Sequence, residues 1–478
     1  MKKNLKILNN FIFFLVLFLF VFIPLFPKFP LLNVKGTFVA IRIEDVIIAL
    51  TVGLWGISVA LSGQINIFLK NKLNQSILLF FFIGLVSIFS AIFLTLTVTY
   101  GLGLLNFLRR VEFMMLLPVV IYVVNSRKRF FLILFLLIFT VAAVDIYALG
   151  QKYLNWPVIS TTNSEFAKGL ILRLTPDARV NSTFAGHYDL AVFLAGVLVI
   201  LTPLFFAVRK ILKPVILAIG AVSLLVLIMT AARLSFVAAF VGIISALILS
   251  KKKKYILLLF ISVFMILIYP SQLRDRFIST ITINILHMGE RYTGKTVDQQ
   301  VRSKLNIPTL AVKTSSMSAS TSTFASSSGG LATDITPGEP IDSTELGVYR
   351  SFEIRLNIEW PRAIRAFIKN PFLGTGYSSL GIATDNDFLR SLGEVGLLGT
   401  LALILVIFEI GKNIIVQFKN ENKFLRYFSV GVFSMLIAFL VNGLFIDVFE
   451  ASKVASLFWM ILGLNLSVIN FNENIKHI

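Results

Sequence analysis

No cysteine occurs in the 478 residues, so no disulfide, thiolate nucleophile or cysteine-ligated metal is open to this chain. Charge is scarce too. Asp, Glu, Lys and Arg make up 14%, against about 25% in a soluble domain. Histidine occurs only at His187, His287 and His477, without the spacing of a zinc site, and neither a metal nor a cofactor is expected. Acids are fewer than bases, 24 against 44, which leaves a net charge of +20. That excess does not point to nucleic acid. The bases sit in short clusters between apolar runs, whereas nucleic-acid readers gather charge on one face or helix.

Apolar residues are what the chain has in abundance. They make up 57% of it, including 46 Phe, and the mean hydropathy is +0.87. So much apolar surface must face lipid as well as a core. A helix crosses the hydrocarbon with about 20 apolar residues. Such runs occur at 11–31, 45–62, 76–98, 105–124, 130–150, 187–207, 214–232, 234–250, 255–270, 391–411, 427–447 and 453–470. They predict an all-α polytopic membrane protein of about twelve transmembrane helices, nine within 1–270 and three within 391–478.

The basic clusters give an orientation. Lys70 and Lys72, then Arg127, Lys128 and Arg129, then Arg209, Lys210 and Lys213, then the run from Lys251 to Lys254, and last Lys412, Lys419, Lys423 and Arg426 each follow an even-numbered run. Lys2, Lys3 and Lys6 precede the first. Short basic loops stay cytoplasmic, so both termini are expected inside. The first run lacks a small-residue cleavage site and reads as a span, not a removed signal.

The connection 271–390 is then one large external loop, and loops of that length are functional or unstructured. Its middle, 314–340, includes SSMSASTSTFASSSGG, a Ser/Thr/Gly-rich insertion that cannot build a core. Its flanks, RDRFISTITINILHM and SFEIRLNIEWPRAIRAFI, carry apolar residues at helical spacing and are expected to form short helices lying over the bundle.

Ionisable residues at membrane depth are functional candidates by default. Arg233 interrupts LLVLIMTAARLSFVAAFVGII where two spans meet; it reads either as a snorkelling turn residue or as part of an anion site. Arg109 and Arg110 in LNFLRRVEFMML are similar, with Glu112 a possible partner. Arg42, Glu44 and Asp45 before the second span read as a solvated entry paired in place. RLTPDARVNSTFAGHYDLAVFL gathers Arg173, Arg179, His187 and Asp189 at the membrane border; a lone His there more often packs or caps. At the end of the loop, Arg350, Glu353, Arg355, Arg362 and Arg365 precede NPFLGTGYSSL and TDNDFLRSLGEVGLLG. The Gly374-Thr375-Gly376 segment reads as a tight turn after a helix ended by Asn370-Pro371. Capping accounts for one of Asp385, Asn386 and Asp387, not for all three.

Taken in order, four segments resemble the bacterial O-antigen ligase and polymerase family: RIEDVIIAL, RVNSTFAGHYDLAVFLA, TAARLSFVAA, and RLNIEWPRAIRAFIKNPFLGTGYSSL with DNDFLRSLGEVGLLG. The family's members are inverting glycosyltransferases of the bacterial plasma membrane that use polyprenyl-diphosphate-linked glycans. The resemblance implies such a donor and an acceptor glycan, lipid or protein, with O-antigen or exopolysaccharide polymerisation as the activity. Ligation of complete chains is the alternative, and a transporter or flippase of lipid-linked glycans is the rival from another class. The ligases carry His followed by Asn in the loop motif, that His being the proposed base; here Asp385 stands before Asn386, which favours the polymerase.

The chemistry can be written for these residues directly. A polyprenyl diphosphate sets its phosphates at headgroup level, and Arg meets phosphate oxygens with a bidentate, permanently charged fork. Arg179, Arg233 and Arg355 are the expected diphosphate ligands. Asp385 is the expected general base toward the acceptor hydroxyl, with Glu353 and His187 as alternatives. Arginines neutralising the leaving group make a metal-independent transfer feasible.

Overall fold

A computed structural model describes residues 2–34, 40–160, 171–175, 178–281, 354–381 and 383–469. Glu353, Arg350, the 314–340 insertion and most of the long connection lie outside the described residues. Within them the chain is all-helical, with two isolated bridges, Leu32 to Ile41 and Val158 to Leu172, and no strand. Apolar runs become helices because backbone polar groups removed from water must bond within their own segment.

In chain order the helices are α1 (Lys2–Leu25), α2 (Ile43–Leu61), α3 (Ile65–Lys70), α4 (Lys72–Ser90, with a π-helical extension Ala91–Thr95), α5 (Tyr100–Val123), α6 (Arg127–Tyr153), α7 (His187–Ala207), α8 (Lys213–Met229), α9 (Arg233–Leu249), α10 (Tyr255–Ile268), α11 (Gln272–Ile281), α12 (Trp360–Lys369), α13 (Asp387–Val416), α14 (Lys423–Asn442) and α15 (Ser452–Leu466). A helix stands at each of the twelve apolar runs, and α11 and α12 occupy the two flanks of the long connection.

Eight helices among the described residues are long and apolar enough to cross a membrane: α1, α2, α4, α6, α7, α8, α13 and α14. The other four fall short for separate reasons. Apolar α9 and α15 have only 17 and 15 residues. With 14 residues, α10 reaches sufficient length only together with α11, from which it is bent by 93°. Long enough at 24 residues, α5 holds Arg109, Arg110 and Glu112 in its interior.

Side-chain caps start several helices, as Asn71, Ser126, Asn386 and Asn422 each accept a first-turn N–H. The core forms where α7 packs on α14 and α9, α13 on α4, and α15 on α5. Small residues allow this closeness: a Cβ on Gly463 of α15 would come within 2.7 Å of the Leu117 carbonyl oxygen of α5. In contrast, α10 buries no residue and lies at the rim.

One helix is broken, and the break shapes the site. Within α13, Gly396 has φ +66° and ψ −167°, so the segment before it is a separate short helix. The loop after α12 is stitched into the gap. Thr375 and Gly376 N–H groups donate to the carbonyls of Gly393 and Glu394, both at 2.8 Å. Leu397 and Leu398 donate to Pro371 and Phe372 at 2.8 and 3.1 Å. Ser87 Oγ, from α4, donates to Leu373 and Glu394 carbonyls. Groups freed by the break are thereby bonded again, as they must be away from water. This explains the glycines of NPFLGTGY: Gly374, at φ +68°, has no room for a Cβ, which would lie 2.5 Å from the Glu394 backbone.

The buried charges gather at one end of the bundle, where α1, α4, α6, α8 and α14 finish and α2, α5, α7, α9, α13 and α15 begin. Lys453 Nζ, on the first turn of α15, joins this end together by donating to the carbonyls of Phe26 at 2.6 Å and Thr183 at 2.7 Å.

Candidate functional site

Local structure first decides which way three consecutive polar residues face. In TDND, Asn386 is the cap: its Oδ1 accepts from Phe388 and Leu389 N–H at 3.0 and 2.9 Å. Asp387 turns inward and accepts from Val448 N–H at 2.9 Å. Asp385 is left to face outward, with φ +50°, a left-handed conformation that costs a non-glycine residue about 1 kcal/mol or more. Asp447 holds it there. Its carboxylate accepts from the N–H groups of Thr384, Asp385 and Asn386 at 2.7, 3.2 and 3.2 Å, and from Arg390 Nη1 at 2.9 Å.

Asp385 meets Arg355, whose Nη2 lies 2.6 Å from Oδ2. Arg355 opens a π-helical turn, Arg355–Glu359, ahead of α12, and such turns recur at functional sites. From the other side come Arg179, whose Nη1 donates to His187 Nε2 at 2.6 Å, and Arg233, whose Nη1 donates to the Arg276 carbonyl at 3.0 Å and to Thr280 Oγ1. The centre of the group is Tyr188, in the first turn of α7. It lies within electrostatic reach of Arg179, Arg276, Arg355 and Asp385, and Arg233 is within reach of Arg276, Tyr188 and Arg355.

Five of the residues expected from sequence therefore converge: Arg179, Arg233, Arg355, Asp385 and His187. Arg179 can only donate, so the lone pair at His187 Nε2 is already engaged, and the ring is poorly placed to take a proton at that nitrogen. Arg173 lies on the strand-like stretch beside Leu172, outside this convergence. Arg109 and Arg110 do not join it either, since Arg110 pairs with Glu450.

Three members were not singled out from sequence. Arg276 is on α11, buried at 6% exposure; its signal was an arginine in an amphipathic flank, indistinguishable there from a surface charge. Tyr188 adjoins His187 and reads as an interfacial aromatic. Glu359, four residues after Arg355, lies among Asp385, Asp447 and Arg362.

The charges strain against their burial. Burial, and then the Arg276 guanidinium, press Arg179 down to about 10, so it stays charged but crowded by its own kind. For Arg355, burial opposes the charge, and Asp385 with Tyr188 outweighs it and holds the group above its ordinary value. Burial pushes the Asp385 carboxyl up against the pull of Arg355. Glu359 is pushed up to about 7 by burial and by the neighbouring Asp385. Four guanidinium groups facing one carboxylate pair and a tyrosine leave a surplus of positive charge that a bound anion would relieve. Among the described residues no group of three or more His, Asp or Glu is arranged to hold a metal ion.

Arg42 and Glu44 depart from the expected solvated entry. They are 5% and 4% exposed, with α1 and α5 packed against α2. No protein-family model matches the chain, and a search of curated proteins gives no match either. The chemistry of the site therefore carries the functional reading.

Proposed function

We propose that this chain is an inverting glycosyltransferase that polymerises glycan from a polyprenyl-diphosphate donor at the external face of a bacterial plasma membrane. In this reading the helices at all twelve apolar runs cross the bilayer, both termini are cytoplasmic, and the charged end of the bundle is external. The observation that carries it is the convergence of Arg179, Arg233, Arg276 and Arg355 around Tyr188, with Asp385 in contact with Arg355.

The arginines take the diphosphate, which neutralises the leaving group as the bond to the anomeric carbon breaks. The acceptor oxygen forms the new bond from the opposite side, inverting the configuration, and its proton passes to the Asp385 carboxylate. Arg355 links the two events. While it holds Asp385, the carboxylate is a poor base; when phosphate draws Arg355 away, burial leaves Asp385 with a raised affinity for a proton. Glu359, poised near neutrality, is the adjacent acceptor that can pass the proton on.

Arg233→Ala, assayed by glycan chain length in cells, should abolish long chains; unchanged polymer at normal protein level would remove Arg233 from the site. Asp385→Asn keeps shape and should lose activity; wild-type polymer in that variant would transfer the base role to Glu359 or Glu353. A deletion strain that keeps one-unit glycans supports polymerisation, whereas complete chains stranded on the lipid carrier support the ligase reading.

A transporter of the same lipid-linked glycan has one observation in its favour, the broken α13, since transporters bind at broken helices. Against it, the break is filled by the 370–376 loop, and the charges of the candidate site lie at one end. New glycosidic bonds formed by purified protein without a transbilayer gradient distinguish the enzyme.

A further inference from the structure

The first turn of α7 divides two environments. His187 and Tyr188 face the arginines, whereas Asp189 pairs with Lys28 at 3.9 Å. Around Lys28 lie Arg42, Glu44 and Arg109, and Glu112 of α5 lies within reach of Arg109 and Glu44. Asp45 lies within reach of Glu112 and Lys453 within reach of Asp189, so four acids face four bases, a neutral balance unlike the cationic site on the other side of the turn.

Hydrogen bonding inside this second cluster is incomplete. Both carboxylate oxygens of Glu44, Oε1 of Glu112 and Nε of Arg42 are buried without a partner among the described residues. Glu44 is 4% exposed, and no ion pair closes on it there. Charged groups removed from water and left unbonded are costly unless something completes them. α2 and α5 contribute one such acid each, Glu44 and Glu112, while Arg109, Glu112 and Asp189 are half-buried.

We propose that this cluster is a binding subsite for the hydroxyl groups of a neutral saccharide, the acceptor glycan. It rests on the glycosyl-transfer reading for the identity of that saccharide. Carboxylate oxygens accept from sugar hydroxyls and guanidinium nitrogens donate to them, so a hydroxyl can satisfy both at once. No net charge is left over to select an anion. The α7 turn joins the subsite to the cationic site, since Asp189 adjoins Tyr188, which lies within reach of Asp385.

The test uses full-length protein purified in detergent. One probe is the free saccharide released by mild acid from the lipid-linked glycans of a deletion strain; the other is farnesyl diphosphate. Each is titrated alone by calorimetry against wild type, Glu44→Gln and Glu112→Gln. The subsite predicts saccharide binding to wild type, weakened about ten-fold or more in each variant by loss of a charge-assisted hydrogen bond, with farnesyl diphosphate binding unchanged. Absence of saccharide binding to wild type, or equal affinity in the variants, overturns it. If Glu44→Gln does not fold, Glu112→Gln decides alone. Failure of farnesyl diphosphate to bind counts against the glycosyl-transfer reading and leaves the saccharide result to stand by itself.

Discussion

Asp447→Ala should slow the reaction about a hundred-fold without removing any group that touches substrate. The wild-type carboxylate receives four hydrogen bonds, from Thr384, Asp385, Asn386 and Arg390. A hydrogen bond to a charged group contributes about 1.5–3 kcal/mol, but these four share two oxygens, and the two at 3.2 Å are long. Arg390 also keeps Glu394 at 3.3 Å and Glu450 at 3.1 Å. The net loss is therefore well below the sum, about 2–4 kcal/mol. Activity should fall further than stability. Asp447 accepts from the backbone N–H of Asp385 and of both its neighbours, and a displacement of about 1 Å at a reacting group costs roughly a hundred-fold in rate. The assay is polymer formation by purified protein on extracted lipid-linked glycan, beside thermal unfolding and farnesyl diphosphate binding. Expected are turnover down about a hundred-fold, a lowered Tm and unchanged diphosphate affinity, with Asp447→Asn in between because its amide oxygen can still accept. Turnover near wild type in Asp447→Ala, despite the lost stability, would refute the positioning role.

Glu359 titrates near 7 in the folded chain, so turnover should rise as pH passes through about 7 and the carboxylate forms. Glu359→Gln should flatten that limb, and a profile identical to wild type would exclude it from proton transfer. The stability sign is opposite: a raised carboxyl pKa favours the fold below the unfolded value, near 4.3, and this is lost as pH rises through about 7, so Glu359→Gln should raise Tm at pH 8 relative to wild type and not at pH 4. Gly396→Ala should lower stability by about 2 kcal/mol or more, since φ is +66° and a Cβ would run into the Phe372 backbone; an unchanged Tm would mean the break in α13 is not needed. Arg233→Lys should weaken farnesyl diphosphate binding about ten-fold, because a single ammonium replaces a fork, and equal affinity would argue against phosphate contact.

The helices were legible because the apolar period and run length are local properties. A helix stands at each of the twelve runs from 11–31 to 453–470, although α9, α10 and α15 are shorter than a simple span. Their shortness was hidden in the sequence, since the residues that follow Arg233 or Ser452 are apolar whether the helix is deep or shallow. The amphipathic flanks were legible for the same reason and became α11 and α12. The break in α13 was not: LGEVGLLG is a good apolar stretch, and only the distant NPFLGTG loop, bonding to Gly393 and Glu394 across the gap, makes Gly396 a hinge of the backbone.

The site divides along the same line. An arginine that interrupts an apolar run advertises itself, as Arg233 did, while Arg179 and Arg355 stood out in charge clusters at the ends of such runs, and the competition among Asp385, Asn386 and Asp387 for one cap implied that two of the three had other work. Which two could not be read, because the answer lies sixty residues away in the 443–451 turn, where Val448 N–H claims Asp387 and Asp447 fixes the backbone of Asp385. Arg276 failed to stand out for the converse reason: on an amphipathic helix its charge looks ordinary until α11 folds at 93° to α10 and brings it within electrostatic reach of Tyr188. A charge in an apolar run is costly wherever the run goes, so sequence finds it. One on a polar face becomes costly only after folding turns that face inward, and for such residues the geometry has to be seen first.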